Sequence, residues 1–310
     1  MTRFLRKNRT CAGLYANAAT QAENLQNTEN NLGGSAMSKA VRVIPGYHLT
    51  WGITIFYLSL ILLIPLGAFL LYNMGMGWEK FWQTVTDYRV LHAYYISLAT
   101  SLAAALLNGA FGLLLAWVLV RYSFPGRRLM DGLIDLPFAL PTAVAGIALT
   151  TLYAENGWLG QFLFALGIPS VFSVFGITIA LIFVGLPFTA RSVQPVLRGL
   201  DSQLEEAAEI LGAKPWTTFR RVILPELRAP LLTGFALAFA RGIGEYGSVV
   251  FIAGNLPYET EIAPLLIMAK LEQFDYQAAA AVALVMMVMS FLILLSINGY
   301  QRYMLRKQGC

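Results

Sequence analysis

The sequence predicts an all-α, polytopic membrane protein with six transmembrane helices, and three observations support this fold class. Of the 310 residues, 57% are hydrophobic and only 13% are charged, and the mean hydropathy is +0.61. In an average soluble domain about a quarter of the residues are charged, so this chain lacks the polar residues needed to cover a soluble core. Its charged residues are also grouped, which leaves apolar runs of the roughly 20 residues that a helix needs to cross a bilayer. No part of the chain requires a strand.

Six apolar runs are candidates for the spans, and one of them is interrupted. The five uninterrupted runs cover about 50–72, 93–120, 172–190, 230–252 and 277–299. The sixth, 132–153, carries Asp135 near its start and Pro137 and Pro141 in its first turns. Neighbouring helices can satisfy the carbonyls that a proline frees, so we expect this run to span as well.

The distribution of Lys and Arg predicts that both termini face the cytoplasm. The segment before residue 50, the loops 121–129 and 195–229, and the C-terminal tail together carry 17 basic residues, against three in the alternate loops. Cytoplasmic segments of membrane proteins carry the excess of positive charge. The net charge of +5 therefore reflects topology, and we expect the lipid bilayer, not a nucleic acid, as a partner.

Residues 1–36 are predicted to form a disordered N-terminal extension, since they are polar, rich in Asn, Gln and Thr, and show no periodic apolar face. They do not resemble a signal peptide, because no apolar region follows the basic start. A translation start at Met37 in place of Met1 is a hypothesis. We expect the transport domain at 41–300 and a cytoplasmic tail at 301–310.

Catalytic and metal chemistry are disfavoured. Cys11 and Cys310 lie in the two tails and imply no disulfide framework. His48 and His92 are isolated, with no ligand spacing around them. An enzyme would require a nucleophile with a base, or a metal-binding cluster, so the residues favour a protein without catalytic, cofactor-binding or metal-binding residues.

The cytoplasmic loop 195–229 is the conspicuous polar insertion, and its first part predicts a short amphipathic helix. Ser202 and Glu205 have the spacing of a capping box. An apolar face at i, i+3, i+4 and i+7 follows, formed by Leu204, Ala207, Ala208 and Leu211. Gly212 is expected to end this helix.

The second part of the loop predicts another short helix. Pro215 suits the first position of a helix, Trp216, Phe219 and Ile223 line one side, and Pro225 is expected to end it. Physical chemistry alone leaves two alternatives open: a hairpin that lies on the membrane surface, or a docking element for a cytoplasmic partner.

The loop resembles the EAA motif of the permease subunits of ATP-binding-cassette (ABC) importers. That motif reads Glu-Ala-Ala, three residues, Gly, nine residues, Ile, one residue, Leu-Pro. Residues that match it at the right spacing are Glu206, Ala207, Ala208, Gly212, Leu224 and Pro225. Val222 stands where the motif has Ile. The resemblance implies a type I importer permease whose loop docks into a groove of a separate ATPase subunit.

Further stretches are similar to the T-subunit family of sulfate/thiosulfate permeases. They are "DLPFALPTAVAGIAL" (135–149), "RSVQPVL" (191–197), "RGIGEYGSVVFIAGN" (241–255) and "LEQFDYQAAAAVA" (271–283). Tyr246 replaces a more usual Phe. The resemblance implies a second homologous permease chain, a pair of ATPase subunits, an extracytoplasmic sulfate-binding protein and a location in the bacterial inner membrane. Molybdate or other oxyanion permeases share a similar Gly-Glu-aromatic-Gly stretch and remain an alternative.

The chain has no nucleotide site of the P-loop type, because none of its six lysines follows a glycine. We therefore expect any ATP to be bound by the partner ATPase. A secondary carrier driven by an ion gradient is the less favoured alternative; it would use intramembrane carboxylates, for which Glu245 and Asp135 are candidates.

Three charged residues are candidates for a translocation pathway: Arg191, Arg241 and Glu245. Arg241 is predicted about 15 Å into the fifth span, and Glu245 lies one turn further on the same face. One reading is an ion pair that fixes helix packing; the other is a path for an oxyanion, with Arg241 and Arg191 supplying positive potential. The glycines of "RGIGEYG" match a dinucleotide-binding spacing, but no strand precedes them, so we expect them to allow close helix contacts or to loosen one helix.

Overall fold

The computed structural model describes residues 47–308, and all regular structure within this range is helical. The predictions for residues 1–36, Met37, Cys11 and Cys310 fall outside the described residues. The chain divides into two units, residues 1–66 and residues 67–310, and each is described by itself.

The first unit contains α1, Tyr47–Leu58, which continues through a π-helical turn, Ser59–Leu63, into α2, Ile64–Met74. The second unit begins within α2, and its further helices follow in chain order: α3 Trp78–Val85, α4 Tyr88–Arg121, α5 Arg127–Ile134, α6 Leu136–Ala139, α7 Thr142–Tyr153, α8 Gly160–Ala165, α9 Val174–Gly199, α10 Ser202–Ile210, α11 Pro215–Thr218, α12 Leu224–Ile243, α13 Val249–Ile252, α14 Ala263–Glu272 and α15 Tyr276–Gln308.

Five helical stretches in the described range have the length and apolar composition of membrane spans. They are Leu49–Met74, Tyr88–Arg121, Val174–Gly199, Pro215–Ile243 and Tyr276–Met304. Each overlaps one of the five uninterrupted runs of the sequence. The all-helical fold class is confirmed, while six spans and cytoplasmic termini stay predictions.

The interrupted run 132–153 does not form one helix. It is divided among α5, α6 and α7, with breaks at Asp135 and at Leu140–Pro141. Only α7, at 12 residues, is a sizeable apolar segment. The prolines were expected inside a continuous helix; instead Pro137 lies in the first turn of α6 and Pro141 caps α7, positions where a missing N–H leaves no helical bond unmade.

The fifth span begins earlier and ends earlier than predicted. Helix α11 continues through a π-helical turn, Phe219–Ile223, into α12, so Pro225 does not end the second loop helix. A proline inside a helix cannot donate to the carbonyl four residues before it and crowds that carbonyl, and a π turn is one way in which a helix absorbs such a disruption. The same arrangement occurs at Ser59–Leu63, directly before Pro65. At its other end α12 stops at Ile243, and a turn at 244–248 separates it from α13.

Helices α4, α9 and α12 form the centre of the second unit. Their contacts rely on glycines that leave no room for a side chain. A Cβ at Gly112 of α4 would lie 2.7 Å from Thr189 Cβ of α9, and one at Gly234 of α12 would lie 2.6 Å from Thr189 Cα. Small residues that let backbones approach are typical of helix contacts in membranes. This close packing fixes the positions of the charged side chains described next.

Candidate functional site: docking loop and buried charges

The first loop helix, α10, begins at Ser202, and its N-cap lies one residue before the predicted cap. Asp201 is the N-cap, and its side chain accepts a hydrogen bond from the Gln203 N–H at 3.0 Å. The prediction of a capping box formed by Ser202 and Glu205 is therefore wrong, because Asp201 and not Ser202 occupies the N-cap position. Aspartate caps as well as serine, and its charge also suits the helix N-terminus. Glu205 instead forms an ion pair with Arg121 at the end of α4.

The predicted end of α10 is confirmed. Gly212 has φ +78°, and the N–H groups of Gly212 and Ala213 donate to the carbonyls of Glu209 and Ala208 at 2.8 and 3.0 Å. A left-handed residue with such bonds is a common helix C-terminus, and glycine adopts it without strain. Pro215 opens α11 as predicted.

The apolar face predicted for α10 is not covered by any part of the chain that the structure describes. Leu204 is 51% exposed and Leu211 87% exposed, and Ile210 and Trp216 are exposed as well. Ala207 is exposed and Ala208 half-buried. An apolar face of this kind requires a surface to cover it.

Aromatic contacts tie the loop to the end of α4. The Arg121 guanidinium lies 5.4 Å from the Trp117 ring centre, and the Trp117 ring packs edge-on against Phe219 at 5.3 Å. Phe219 in turn stacks on Trp216 at 5.5 Å. The loop is thus anchored on one side by rings and an ion pair, while its apolar face remains open.

Arg241 and Glu245 meet as their spacing predicts. Arg241 Nη2 lies 2.8 Å from Glu245 Oε2. The Glu245 side chain is 1% exposed and that of Arg241 39% exposed. The other carboxylate oxygen, Glu245 Oε1, accepts from the N–H and the hydroxyl of Ser248, both at 3.0 Å. The carboxylate is therefore held by Ser248 on one side and Arg241 on the other, while the Arg241 side chain stays partly exposed.

The glycines around this pair follow a helix, α12, and not a strand, so the dinucleotide-binding spacing is coincidental. A Cβ at Gly247 would lie 2.1 Å from Thr142 Oγ1, and one at Gly242 would lie 3.3 Å from Ser101 Oγ. The expected close contacts are confirmed at these two positions. At Gly244 they are not, because nothing lies within 4 Å.

Arg191 lies apart from that pair in a network of its own. Its Nε and Nη2 donate to the two carboxylate oxygens of Asp135 at 2.8 and 2.6 Å. Nη1 donates to Asp131 Oδ1 at 2.7 Å and to Gln194 Oε1 at 2.6 Å, and Nη2 also donates to the Asp131 carbonyl at 2.8 Å. A pathway role requires donors that can meet an anion, and all five N–H groups of this guanidinium are already engaged.

Asp131 and Gln194 belong to this network, although neither was expected from the sequence to be a site residue. Asp131 and Asp135 are four residues apart, and Arg191 and Gln194 three apart, which is the spacing of one helix face; this spacing suggests two polar pairs but not that the two pairs meet. Partial burial by itself would raise the pKa of Asp131. The hydrogen bonds from Arg191 and Gln194, with the positive charges of Arg191 and Arg198, instead hold that pKa below its ordinary value.

In the range 47–308 the structure brings together no group of three or more His, Cys, Asp or Glu side chains that could hold a metal ion. The arrangement consists of an open apolar docking face, a buried ion pair with one accessible cation, and a saturated arginine network.

Comparison with known proteins gives consistent results. Residues 108–308 match the family model described as "Binding-protein-dependent transport system inner membrane component". The chain is 47% identical over 260 residues to a sulfate transport system permease protein of Escherichia coli K12, covering 84% of this chain and 94% of that protein. It is 48% identical over 255 residues to a protein of the same name from Synechocystis, covering 82% and 89%.

Solved structures show the same fold at low sequence identity. A chain of a bacterial ABC transporter that imports alginate superposes with a TM-score of 0.68 at 16% identity, covering 83% of this chain and 96% of that one. A chain of the MetNI methionine ABC transporter in an inward-facing conformation gives a TM-score of 0.52 at 18% identity, covering 69% and 95%.

Proposed function

This chain belongs to the family of binding-protein-dependent transport system inner membrane components, and on that premise we propose that it is the permease subunit of an ATP-driven sulfate importer. The observation that carries the proposal is the identity of 47% and 48% to two sulfate transport permeases over more than four-fifths of the chain. The alginate and methionine transporters support the ABC permease fold and do not bear on the substrate.

Transport is driven by a separate ATPase that docks on the loop. The exposed face at Leu204, Ala207 and Leu211 supports this, and so does the match of Glu206, Ala207, Ala208, Gly212, Leu224 and Pro225 to the EAA spacing. The alternative of a hairpin that covers itself on the membrane surface does not account for that spacing. ATP is bound and hydrolysed by the partner, and this chain acts as a transporter subunit.

The anion passes Arg241. Sulfate is a dianion whose oxygens suit the planar donors of a guanidinium, and Arg241 is the cation of the buried pair that remains partly exposed. Glu245 holds it in place and limits the strength of anion binding, so that the anion can leave.

The remaining subunits follow from the family. The complex contains a second homologous permease, a pair of ATPase subunits and an extracytoplasmic sulfate-binding protein, in a bacterial inner membrane. The alginate transporter has been solved with a periplasmic protein bound to its substrate, which supports a partner of that kind.

The test is uptake of radiolabelled sulfate into vesicles that hold the reconstituted complex, with ATP inside or outside and with the binding protein present. We expect uptake that requires ATP on the cytoplasmic side and is reduced by unlabelled sulfate and thiosulfate. Competition by molybdate alone would favour the molybdate alternative. Uptake driven by an imposed ion gradient without ATP would favour the secondary carrier.

A further inference from the structure

We infer that Arg191 is a positioning residue: its double ion pair clamps the broken segment 127–153 to α9, and that segment holds the Arg241–Glu245 pair in place. This inference rests on the proposed function, because it assigns Arg191 a role in maintaining the anion path. It replaces the pathway role predicted from the sequence.

The charge balance around Arg191 excludes it as an attractor of anions. One guanidinium faces two carboxylates, Asp131 and Asp135, at 2.7 and 2.6 Å, so the cluster has a formal charge of −1. An approaching sulfate would meet two carboxylates and no free N–H of this guanidinium. The bidentate contact with Asp135 is instead the geometry that gives arginine pairs their directional strength.

The clamp acts at a break between two helices of the segment. Asp135 is the single residue between α5 and α6, so its ion pair with Arg191 holds the chain at the point where one helix ends and the next begins. A second contact lies one turn away along α9, where the Phe188 ring packs edge-on against Phe138 of α6 at 5.2 Å. Only Leu140 and Pro141 separate α6 from α7, so the position of α6 determines where α7 begins.

Helix α7 then contacts the turn 244–248 with no space between them. A Cβ at Gly146 would lie 2.5 Å from the Ser248 carbonyl oxygen, and one at Gly247 would lie 2.1 Å from Thr142 Oγ1. Ser248 donates two hydrogen bonds to Glu245, and Glu245 pairs with Arg241. Because packed interfaces transmit displacement and do not absorb it, a shift of α6 reaches the ion pair.

The test compares charge-preserving and charge-removing changes. Arg191→Lys keeps the positive charge but loses the planar guanidinium that makes the bidentate contact. Asp135→Asn removes one carboxylate and makes the cluster more positive. If Arg191 were an anion ligand, Asp135→Asn would import sulfate at least nearly as well as wild type, because it removes a competing carboxylate and leaves the guanidinium in place. As a positioning residue, both variants should slow uptake by about tenfold or more, since small misplacements of reacting groups have effects of that order. Arg302→Lys, the same change at an exposed arginine of α15, is the matched control.

A second readout does not depend on sulfate. In the assembled complex, with Cys11 and Cys310 replaced by Ser, the change Tyr246→Cys places a thiol in the turn at a residue that is 37% exposed. The rate of its reaction with a small maleimide should change several-fold when Arg191→Lys or Asp135→Asn is added, and stay unchanged with Arg302→Lys.

Labelling rates unaffected by both network variants would overturn the inference, whatever the transported anion proves to be. Normal uptake by Arg191→Lys and Asp135→Asn, with loss only in Arg191→Gln, would also overturn it. Failure of the wild-type complex to import sulfate would contradict the proposed function, and the labelling experiment would still decide the role of Arg191. Size-exclusion chromatography identifies a variant that does not assemble. If Arg191→Lys or Asp135→Asn fails to assemble, the other of these two variants provides the test.

Discussion

The glycines of the stretch 242–247 have different physical roles, although the sequence presents them as one motif. Gly247 lies against Thr142 with no room for a methyl group, whereas nothing lies within 4 Å of Gly244, which has φ −91°. An alanine is therefore accommodated at position 244 and not at position 247.

We predict that Gly247→Ala reduces sulfate uptake at least several-fold and that Gly244→Ala leaves it within about twofold of wild type, since overpacking a tight contact destabilises by roughly 1–3 kcal/mol. Adding Thr142→Ala to Gly247→Ala should restore part of the loss, because it removes the hydroxyl that the new methyl would meet. Uptake by reconstituted complexes measures both effects. Equal activity of the two single variants would show that the contact does not matter.

Asp131 should make the stability of the protein depend on pH in the acid range. Its pKa is lower in the folded state than its ordinary value, so the stabilisation is fully present above about pH 4, the ordinary value for aspartate. It is lost as the pH falls through the lowered folded value. The groups that face Asp131 are Arg191 and Gln194, with Arg198 nearby.

We expect the thermal midpoint of the wild-type protein to exceed that of Asp131→Asn at pH 7, and the difference to shrink as the pH falls below about 4. Thermal unfolding in detergent between pH 7 and pH 3 measures it. The control is Glu259→Gln, a change at an exposed acid, which should show no such convergence. A difference that is constant over this range would contradict the assignment.

At this scale the sequence is informative for neighbours along one helix and much less so across the fold. The contact between Arg241 and Glu245 follows from a spacing of four residues. The contact between Arg191 and Asp135 joins residues 56 apart, and no periodicity predicts it. Both arginines looked alike as isolated charges in apolar runs, yet one is saturated with acceptors and the other is partly open.

Among the elements, the loop helix α10 depends most on a single backbone conformation. Gly212 turns the chain with φ +78° and has free space where a Cβ would be, so a substitution there acts through strain alone. A left-handed conformation costs a residue with a side chain roughly 1–2 kcal/mol.

Gly212→Ala should therefore weaken the association with the ATPase several-fold while the permease remains in the membrane. Glu206→Lys should weaken it through charge. Gly199→Ala, at the end of α9 in equally open space, is the matched control. Co-purification of the ATPase with tagged permease measures the association. Wild-type recovery of the ATPase with both loop variants would refute the docking assignment.

Hydropathy predicted where the long helices lie but not where helices break. The five uninterrupted runs correspond to long helices, because an apolar run of sufficient length leaves the backbone little alternative to a helix in lipid. The breaks at Asp135 and at 244–248 occur within apolar sequence, where packing against α9 and α7 compensates for lost helical bonds. Conversely, the prediction that Pro225 ends a helix is wrong, because a π turn lets the helix continue through this proline.

For the molecule as a whole, the charge distribution predicts the orientation in the membrane. Cys310 should be cytoplasmic. A membrane-impermeant maleimide applied to intact cells should leave it unlabelled, and should label it after permeabilisation. In a chain with Cys11 and Cys310 replaced by Ser, Glu155→Cys should be labelled from outside, because 154–171 is predicted to be an external loop. Labelling of Cys310 in intact cells would reverse the topology.

Residues Pro215–Ile243 form one continuous helical path. The loop that we propose as the ATPase docking site and the part of the helix near Arg241 would therefore move together. Trp216 and Arg241 are separated by about 38 Å along a helix that rises 1.5 Å per residue, so a tilt of about 10° about one end would displace the other by roughly 7 Å. An ATPase that moves the loop by a small angle could thereby open or close the space beside Arg241 without any helix unfolding. The rigidity of this one helical path would then determine how far the helix moves beside Arg241.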